Sequence, residues 1–299
     1  MNNWFFFSLA APLLWAFCNV IDTTARRHFV KSDVALSWLA SITRLPLIPI
    51  LFWLGGWQIP ALGTALGLLV AGLFWLLPFA FYYKALATEE TSRVILFLEL
   101  QPVFTLGIAF VLIGEKLTGI QGWAFLLILL GNLMAALKHF EGKWHFSKAF
   151  AFVLLAGAGW ALSDVLFKKY AANFDNYFAS AAIYSLGMFF LAPMLMVRRE
   201  WFKSIVSHFR GLSRRIWKFL AFDIIAGLLG TLVFSYALTL GKASLTMVVS
   251  GMQPLFVFVL GLILIRFIPE VAREDMSKSA LGLKGFAFAL MVIGLWMLS

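Results

Sequence analysis

Apolar residues fill the chain in long blocks separated by short polar breaks, and within the blocks they run on without the alternation of a strand that buries one face. A helix needs about 20 apolar residues to cross the hydrocarbon core of a bilayer, and the blocks have that length. The pattern predicts helices at 4–24, 33–54, 64–83, 92–113, 118–137, 147–167, 177–197, 216–238, 243–266 and 280–298. A membrane barrel would need segments of roughly ten residues alternating between lipid and lumen, and these are absent. The expectation is an all-α integral membrane protein with ten transmembrane helices. Because that number is even, both termini share one side of the membrane.

Composition agrees and excludes other classes. Of 299 residues, 62% are hydrophobic and 13% charged, which leaves no polar surface for a soluble domain. The first block, Trp4 to Cys18, has no basic leader and no small-residue cleavage pattern after it, so it reads as a retained helix rather than a signal peptide. Cys18 is the one cysteine, which rules out an intrachain disulfide and a cysteine metal cluster; it reads as a small packing residue. His28, His139, His145 and His208 fall in loops without metal-ligand spacing, so no metal or other cofactor is expected. Gly227 and Gly230 sit in an apolar block with no Gly-Lys-Ser or Gly-Lys-Thr after them, so they read as packing surfaces rather than a phosphate loop.

The formal charge of +10 does not point to nucleic acid, because the basic residues sit at block ends rather than on one soluble face. Lipid is the expected partner. The breaks after blocks one, three, five, seven and nine hold 19 of the 24 Lys and Arg, and the opposite side holds only Lys116, Lys168, Lys169 and Lys242. Basic residues in short loops stay in the cytoplasm, so both termini are predicted outside it, in a cell inner (plasma) membrane. Between blocks seven and eight, Trp201, Ile205, Phe209 and Leu212 stand at helical spacing against Lys203, His208 and Arg210, which predicts an amphipathic helix in the interface over 200–212.

The chain repeats itself. Leu14-Trp15-Ala16-Phe17-Cys18-Asn19-Val20 matches Gly159-Trp160-Ala161-Leu162-Ser163-Asp164-Val165 at an offset of 145. Ala85-Leu86 and Gln101-Pro102-Val103-Phe104 match Ala237-Leu238 and Gln253-Pro254-Leu255-Phe256 at 152, while Gly119 to Phe125 matches Gly282 to Phe288, and Gly131 matches Gly294, at 163. The halves fall at 1–140 and 146–299, five helices each. Five is odd, so the second copy enters the membrane inverted. Inverted repeats place a binding site at their interface near the midplane and give alternating access by exchanging conformations.

At these residues the sequence resembles the drug/metabolite transporter superfamily, in its ten-helix form of two EamA-like repeats. The resemblance spans the chain and rests on the Trp-Ala pairs at Trp15 and Trp160, Tyr83-Lys84-Ala85-Leu86 with its echo Tyr236-Ala237-Leu238, the two Gln-Pro steps, and Gly114-Glu115-Lys116-Leu117-Thr118. It implies secondary transport of metabolites, amino acids or cationic and amphipathic drugs, commonly export, with neither ATP nor enzymatic chemistry. Two departures stand out. Leu54 to Gly63 carries no charge where many members are basic, and Arg266-Phe267-Ile268-Pro269-Glu270 replaces the Gly-Glu-Lys motif in the second half. The run Asn19-Val20-Ile21-Asp22-Thr23-Thr24 is also similar to the first helix of the small multidrug resistance proteins, which puts that family's acid at Asn19 and, through the repeat, at Asp164.

Ionisable groups inside membrane helices are costly and mark cavities or partners. Glu99 lies deepest, just before Pro102, whose missing N–H frees a carbonyl. Either it exchanges a proton during transport, or it stays ionised as a partner of Arg44, itself in mid-block. Arg44 otherwise receives an anionic group of the substrate. Asp164 shares the proton-coupling candidacy, against the alternative of an i,i+4 pair with Lys168 like that of Asp22 with Arg26. Trp15, Trp160, Tyr82, Tyr83, Tyr184 and Tyr236 offer aromatic faces on which a cation can rest. Asn19 and Gln253 complete the candidate substrate site at repeat-related positions. The competing function is an uncoupled facilitator, and from other classes a lipid-acting membrane enzyme or an accessory subunit.

Overall fold

The computed structural model describes residues 3–28, 30, 32–88, 94, 97–136, 148–264 and 278–298, and of 19–28, 83, 86–88, 136, 148–149, 261–264 and 278–280 the backbone alone. Among the described residues every regular element is a helix. In chain order they are α1 (Asn3–His28), α2 (Asp33–Ile42), α3 (Leu47–Leu54), α4 (Leu62–Leu76), α5 (Pro78–Thr88), α6 (Gln101–Ile113), α7 (Gly119–Ala136), α8 (Lys148–Ala171), α9 (Tyr177–Phe189), α10 (Leu191–Val197), α11 (Arg199–Phe209), α12 (Arg214–Leu240), α13 (Ala243–Ser250), α14 (Gln253–Leu264) and α15 (Lys278–Leu298). Among the described residues seven helical stretches are long and apolar enough to cross a membrane, and Asn3–Cys18, Gln101–Ile113 and Gly119–Ala135 are shorter apolar helices.

Several blocks that read as single helices are broken, and the breaks have a common cause. Proline lacks the N–H that an interior helix needs, and its ring crowds the preceding turn. The chain turns at Thr43 to Pro46 between α2 and α3, and again at Leu77 ahead of Pro78. Ahead of Gln101-Pro102 and Gln253-Pro254 the same local pattern forms twice. Leu100 N donates to Phe97 O (3.2 Å), and Val103 and Phe104 both donate to Leu100 O (3.0 and 3.4 Å); 152 residues later Met252 N donates to Val249 O (3.1 Å), and Leu255 and Phe256 donate to Met252 O (3.0 and 3.4 Å).

The packing also repeats under exchange of the halves. The helix α1 packs on α12, and its counterpart α8 packs on α4; α1 packs on α14, and α8 on α6. The pair α7 with α15 joins equivalent elements, and the contact of α3 with α9 is matched by that of α10 with α2. Lipid tails are as apolar as these helix faces, so close contact and interhelical hydrogen bonds, not water exclusion, hold them together. At the α7–α15 crossing a Cβ on Gly131 would stand 2.7 Å from Ala287 O and 2.6 Å from Met291, while one on Gly294 would stand 2.9 Å from Ala124 O and 2.6 Å from Ile128. Each glycine therefore admits the other half's backbone. Ser163 Oγ on α8 donates to Ala71 O at 2.8 Å, and its repeat counterpart Cys18 on α1 donates through Sγ to Asp223 O at 3.5 Å. Cys18 is thus a hydrogen-bonding residue as well as a packing one.

The segment between α10 and α12 is helical over Arg199–Phe209 and strongly two-sided. It buries Ile205 and packs with Phe209 against Val30, Ala35 and Trp38 of the region around α2, leaving Lys203 and Val206 exposed.

Candidate functional site

The break before α6 carries Glu99, whose side chain is buried. Its Oε2 reaches within 2.9 Å of the point where a Cβ of Gly251 would stand, and Asn132 Nδ2 lies against the same point. Gly251 follows α13 and caps its C-terminus with an N–H bond to Met247 O. Asn132, on α7, is completely buried and donates from Nδ2 to Val248 O at 3.1 Å, whereas its Oδ1 has no hydrogen-bond partner. Glu99 thus meets a carboxamide rather than the arginine considered as its partner.

Arg44 lies in the turn between α2 and α3, not within a continuous helix. It is buried, its guanidinium sits 4.8 Å over the Trp75 ring, and its Nε has no hydrogen-bond partner among the described residues. A cation held on an aromatic face with a free donor can receive an anionic oxygen. The adjacent break in the other half is closed by the same segment: Ser41 Oγ donates to Met188 O at 2.7 Å and Phe189 O at 3.1 Å.

Asp164 is buried on α8, where the Gln101 side chain, at the start of α6, is near enough to act on it. Gln101 Nε2 also contacts Met247 Sδ at 3.6 Å, so one side chain ties the first-half break to both α8 and α13. Lys168 does not pair with Asp164 as its spacing allowed. Its Nζ reaches Leu238 O (2.8 Å) and Gly241 O, the carbonyl end of α12, where a cation suits the helix dipole. Beside Asp164, Ser163 Oγ lies 3.0 Å from the Tyr184 hydroxyl, and Tyr184 feels the charges of both Asp164 and Arg44. Trp160 donates to Trp75 O at 2.8 Å, with Phe79 and Tyr82 rings 5.1 and 5.8 Å away. Arg44, Trp75, Trp160 and Tyr82 are therefore linked through direct contacts, and Ser163, next to Asp164 in the chain, bonds Ala71 O and the Tyr184 hydroxyl.

The other candidates are placed apart. Trp15 packs beside Phe234, centroids 5.3 Å apart, with its indole nitrogen against Gly230. Tyr236 stacks edge-on with Phe7 and Tyr177, both at 4.9 Å. Gln253 is half-buried and makes no hydrogen bond among the described residues. The side chains of Asn19 and Tyr83, like that of Asp22, lie outside the described residues. Asn132, Gln101, Ser163 and Trp75 were not singled out from the sequence as site residues; Gln101 and Ser163 stood in repeat-matched runs, and that was their available signal.

At one end of the bundle the halves are joined by charged caps. The Glu115 carboxylate accepts from Ala243 N (2.8 Å), Ser244 N (3.0 Å) and Ser244 Oγ, at the N-terminus of α13, where the helix dipole favours an anion. Lys242 Nζ donates to Lys116 O and Gln121 Oε1, both at 2.6 Å. An open cleft of about 600 Å³ at this end is bordered by Asn3, Trp4, Gln121, Lys242 and Leu298 and touches none of Glu99, Arg44 or Asp164. Those three are enclosed by packed side chains.

The comparison with curated proteins returns no match. Among solved structures, one described only as the crystal structure of a protein superposes with a TM-score of 0.69 at 19% identity, covering 99% of this chain and 96% of its own. At that identity the likeness concerns the fold. The sequence matches the EamA-like transporter family over residues 2–137 and again over 147–272. With both halves matched and the polar groups gathered where helices break inside the bundle, the chain belongs to the EamA-like transporter family, multi-pass membrane proteins that transport small solutes.

Proposed function

We propose that the chain is a secondary transporter that moves a small metabolite, amino acid or cationic or amphipathic solute by alternating access, with protons as the coupling partner. The observation that carries this reading is the matched pair of helix breaks at Gln101-Pro102 and Gln253-Pro254, set in packing that repeats under exchange of the halves. Two copies of one element in exchangeable settings are what alternating access requires. Ten spans in two inverted repeats, 1–140 and 146–299, account for that exchange.

In this reading the solute sits among Trp160, Tyr82, Tyr184 and Trp75, with a cationic group directed at Asp164 and an anionic one at Arg44. Trp15, Asn19, Tyr83, Tyr236 and Gln253, drawn from both halves, complete the substrate set. Glu99 carries the proton, with Asp164 as its alternate. Orientation follows the bias of basic residues, with both termini outside the cytoplasm of a cell bearing the protein in its inner membrane. The contacts of Lys242 with Lys116 and Gln121, in a cleft shared with Asn3 and Leu298, support a common side for the few bases opposite the main cluster and for both termini.

A thermal-shift screen against amino acids, quaternary amines and nucleosides identifies a ligand, since one that binds only the folded state raises its melting point. Uptake of that ligand into proteoliposomes is then measured with and without a pH gradient. Accumulation that needs the gradient supports coupling. Equilibration without accumulation in either condition identifies an uncoupled facilitator instead.

A further inference from the structure

We infer that Asn132 is the positioning residue of a one-sided proton site, holding the Glu99 side chain through both of its protonation states in the space left by Gly251. The inference rests on the reading of Glu99 as proton carrier given above.

Three observations carry it. Glu99 Oε2 and Asn132 Nδ2 both crowd the position that a side chain at Gly251 would fill. Gly251 is the repeat counterpart of Glu99, offset by 152, so the two halves together provide one acid and one vacancy rather than two acids. Asn132 is wholly buried, and its Oδ1 lacks a partner. Its orientation is fixed by the Val248 carbonyl, which accepts from Nδ2 at 3.1 Å and would repel Oδ1.

A carboxamide placed this way has what each state of an acid needs. The second N–H of Nδ2 is available to donate to an ionised carboxylate. The free Oδ1 is available to accept from the O–H of a carboxylic acid. An unpaired buried acceptor is costly, so a proton arriving at Glu99 supplies the donor that Asn132 lacks. An apolar residue at 132 could do neither.

Other charges on the packed elements are engaged elsewhere. Glu115, ahead of α7, caps α13; Lys242, ahead of α13, bonds Lys116 O and Gln121; Lys284 on α15 lies 4.2 Å from the Phe258 ring centroid; and Asp164 on α8 lies near Gln101.

The test needs no substrate. Infrared difference spectra of the purified full-length protein, titrated with pH in lipid, report the carbonyl stretch of a protonated carboxylic acid, and the Glu99 band is the one lost in Glu99→Gln. In Asn132→Leu the band is expected to move to the frequency of an acid without a hydrogen bond, and its midpoint to shift by about one pH unit, the tenfold change for losing one bond specific to a protonation state. Gly251→Ala puts a methyl group where Asn132 and Glu99 meet, keeps both polar side chains, and is expected to move the same band; it carries the test if Asn132→Leu does not fold. A Glu99 band present in the native protein and unmoved in these variants overturns the role of Asn132 alone. No Glu99-dependent band at any pH overturns the proton-carrier reading and the positioning role with it.

Discussion

Glu99 and Gly251 occupy the same position in the two halves of the sequence, and in the folded chain they touch: Oε2 of the acid comes within 2.9 Å of the site a Cβ on the glycine would take. Equivalent residues meet where an exchange axis passes between the halves. The acid therefore lies where both halves act on it, although one half alone supplies it.

The exchange relationship makes a paired expectation at the α7–α15 crossing. Gly131→Leu and Gly294→Leu each drive a side chain into the partner helix, at Met291 and Ile128 respectively. Both are expected to destabilise by about 1–3 kcal/mol, the usual range for overpacking, and by similar amounts. Melting curves in detergent check this. A large loss in one variant and none in the other would contradict equivalent crossings.

Arg44 is separable from the stability of the fold. Among the described residues it has no carboxylate partner, and Trp75 covers its guanidinium. Arg44→Met keeps side-chain length, removes the charge and strands no buried anion. Melting is expected to stay within about 4 °C of the native value, while uptake of a ligand bearing an anionic group falls at least about tenfold, the worth of one charge-assisted hydrogen bond. Collapse of the fold with Arg44→Met would assign it a structural role.

Glu115 is expected to behave in the opposite way. Its carboxylate satisfies the first N–H groups of α13, so Glu115→Ala should cost about 1–2 kcal/mol, as for loss of a helix cap. Glu115→Gln, which keeps one acceptor oxygen, should fall between. Equal melting temperatures for all three proteins would show that the cap is not contributing.

Much of this architecture was legible in the chain. Block length pointed to an all-helical membrane chain, though not to where its helices break, and the three repeat offsets led to contacts found in the fold: Gly131 with Gly294 at one crossing, Ser163 and Cys18 in matching hydrogen bonds, and the two Gln-Pro breaks. What could not be read was the rotation of each helix about its axis. In a membrane both the lipid-facing and the buried side are apolar, so the pattern lacks the two-sided signal that orients a helix in a soluble protein. For that reason the spacing paired Asp164 with Lys168, whereas the fold turns Lys168 to the carbonyl end of α12. Asn132 was silent for the same reason. In α11, where one side meets water, the period of Ile205 and Phe209 was readable and the helix forms there.

Topology is open to a direct check. The sequence assigns 19 of the 24 Lys and Arg to the side opposite the termini, and on that reading a reporter fused after Ser299 is expected to be active as a periplasmic enzyme and dark as a cytoplasmic fluorophore. The reverse result would turn the molecule over in the membrane and exchange import for export, without altering the helix packing.

The central claim is that Glu99 carries the coupled proton, and Glu99→Gln tests it most directly. The variant is reconstituted in proteoliposomes, and two rates are measured for the ligand found by thermal shift: uptake driven by a pH gradient, and exchange of labelled for unlabelled ligand at equal pH. Loss of the driven uptake with exchange retained and melting near native is the result expected. Driven uptake undiminished in a normally melting Glu99→Gln protein would contradict the account, and the coupling role would pass to Asp164.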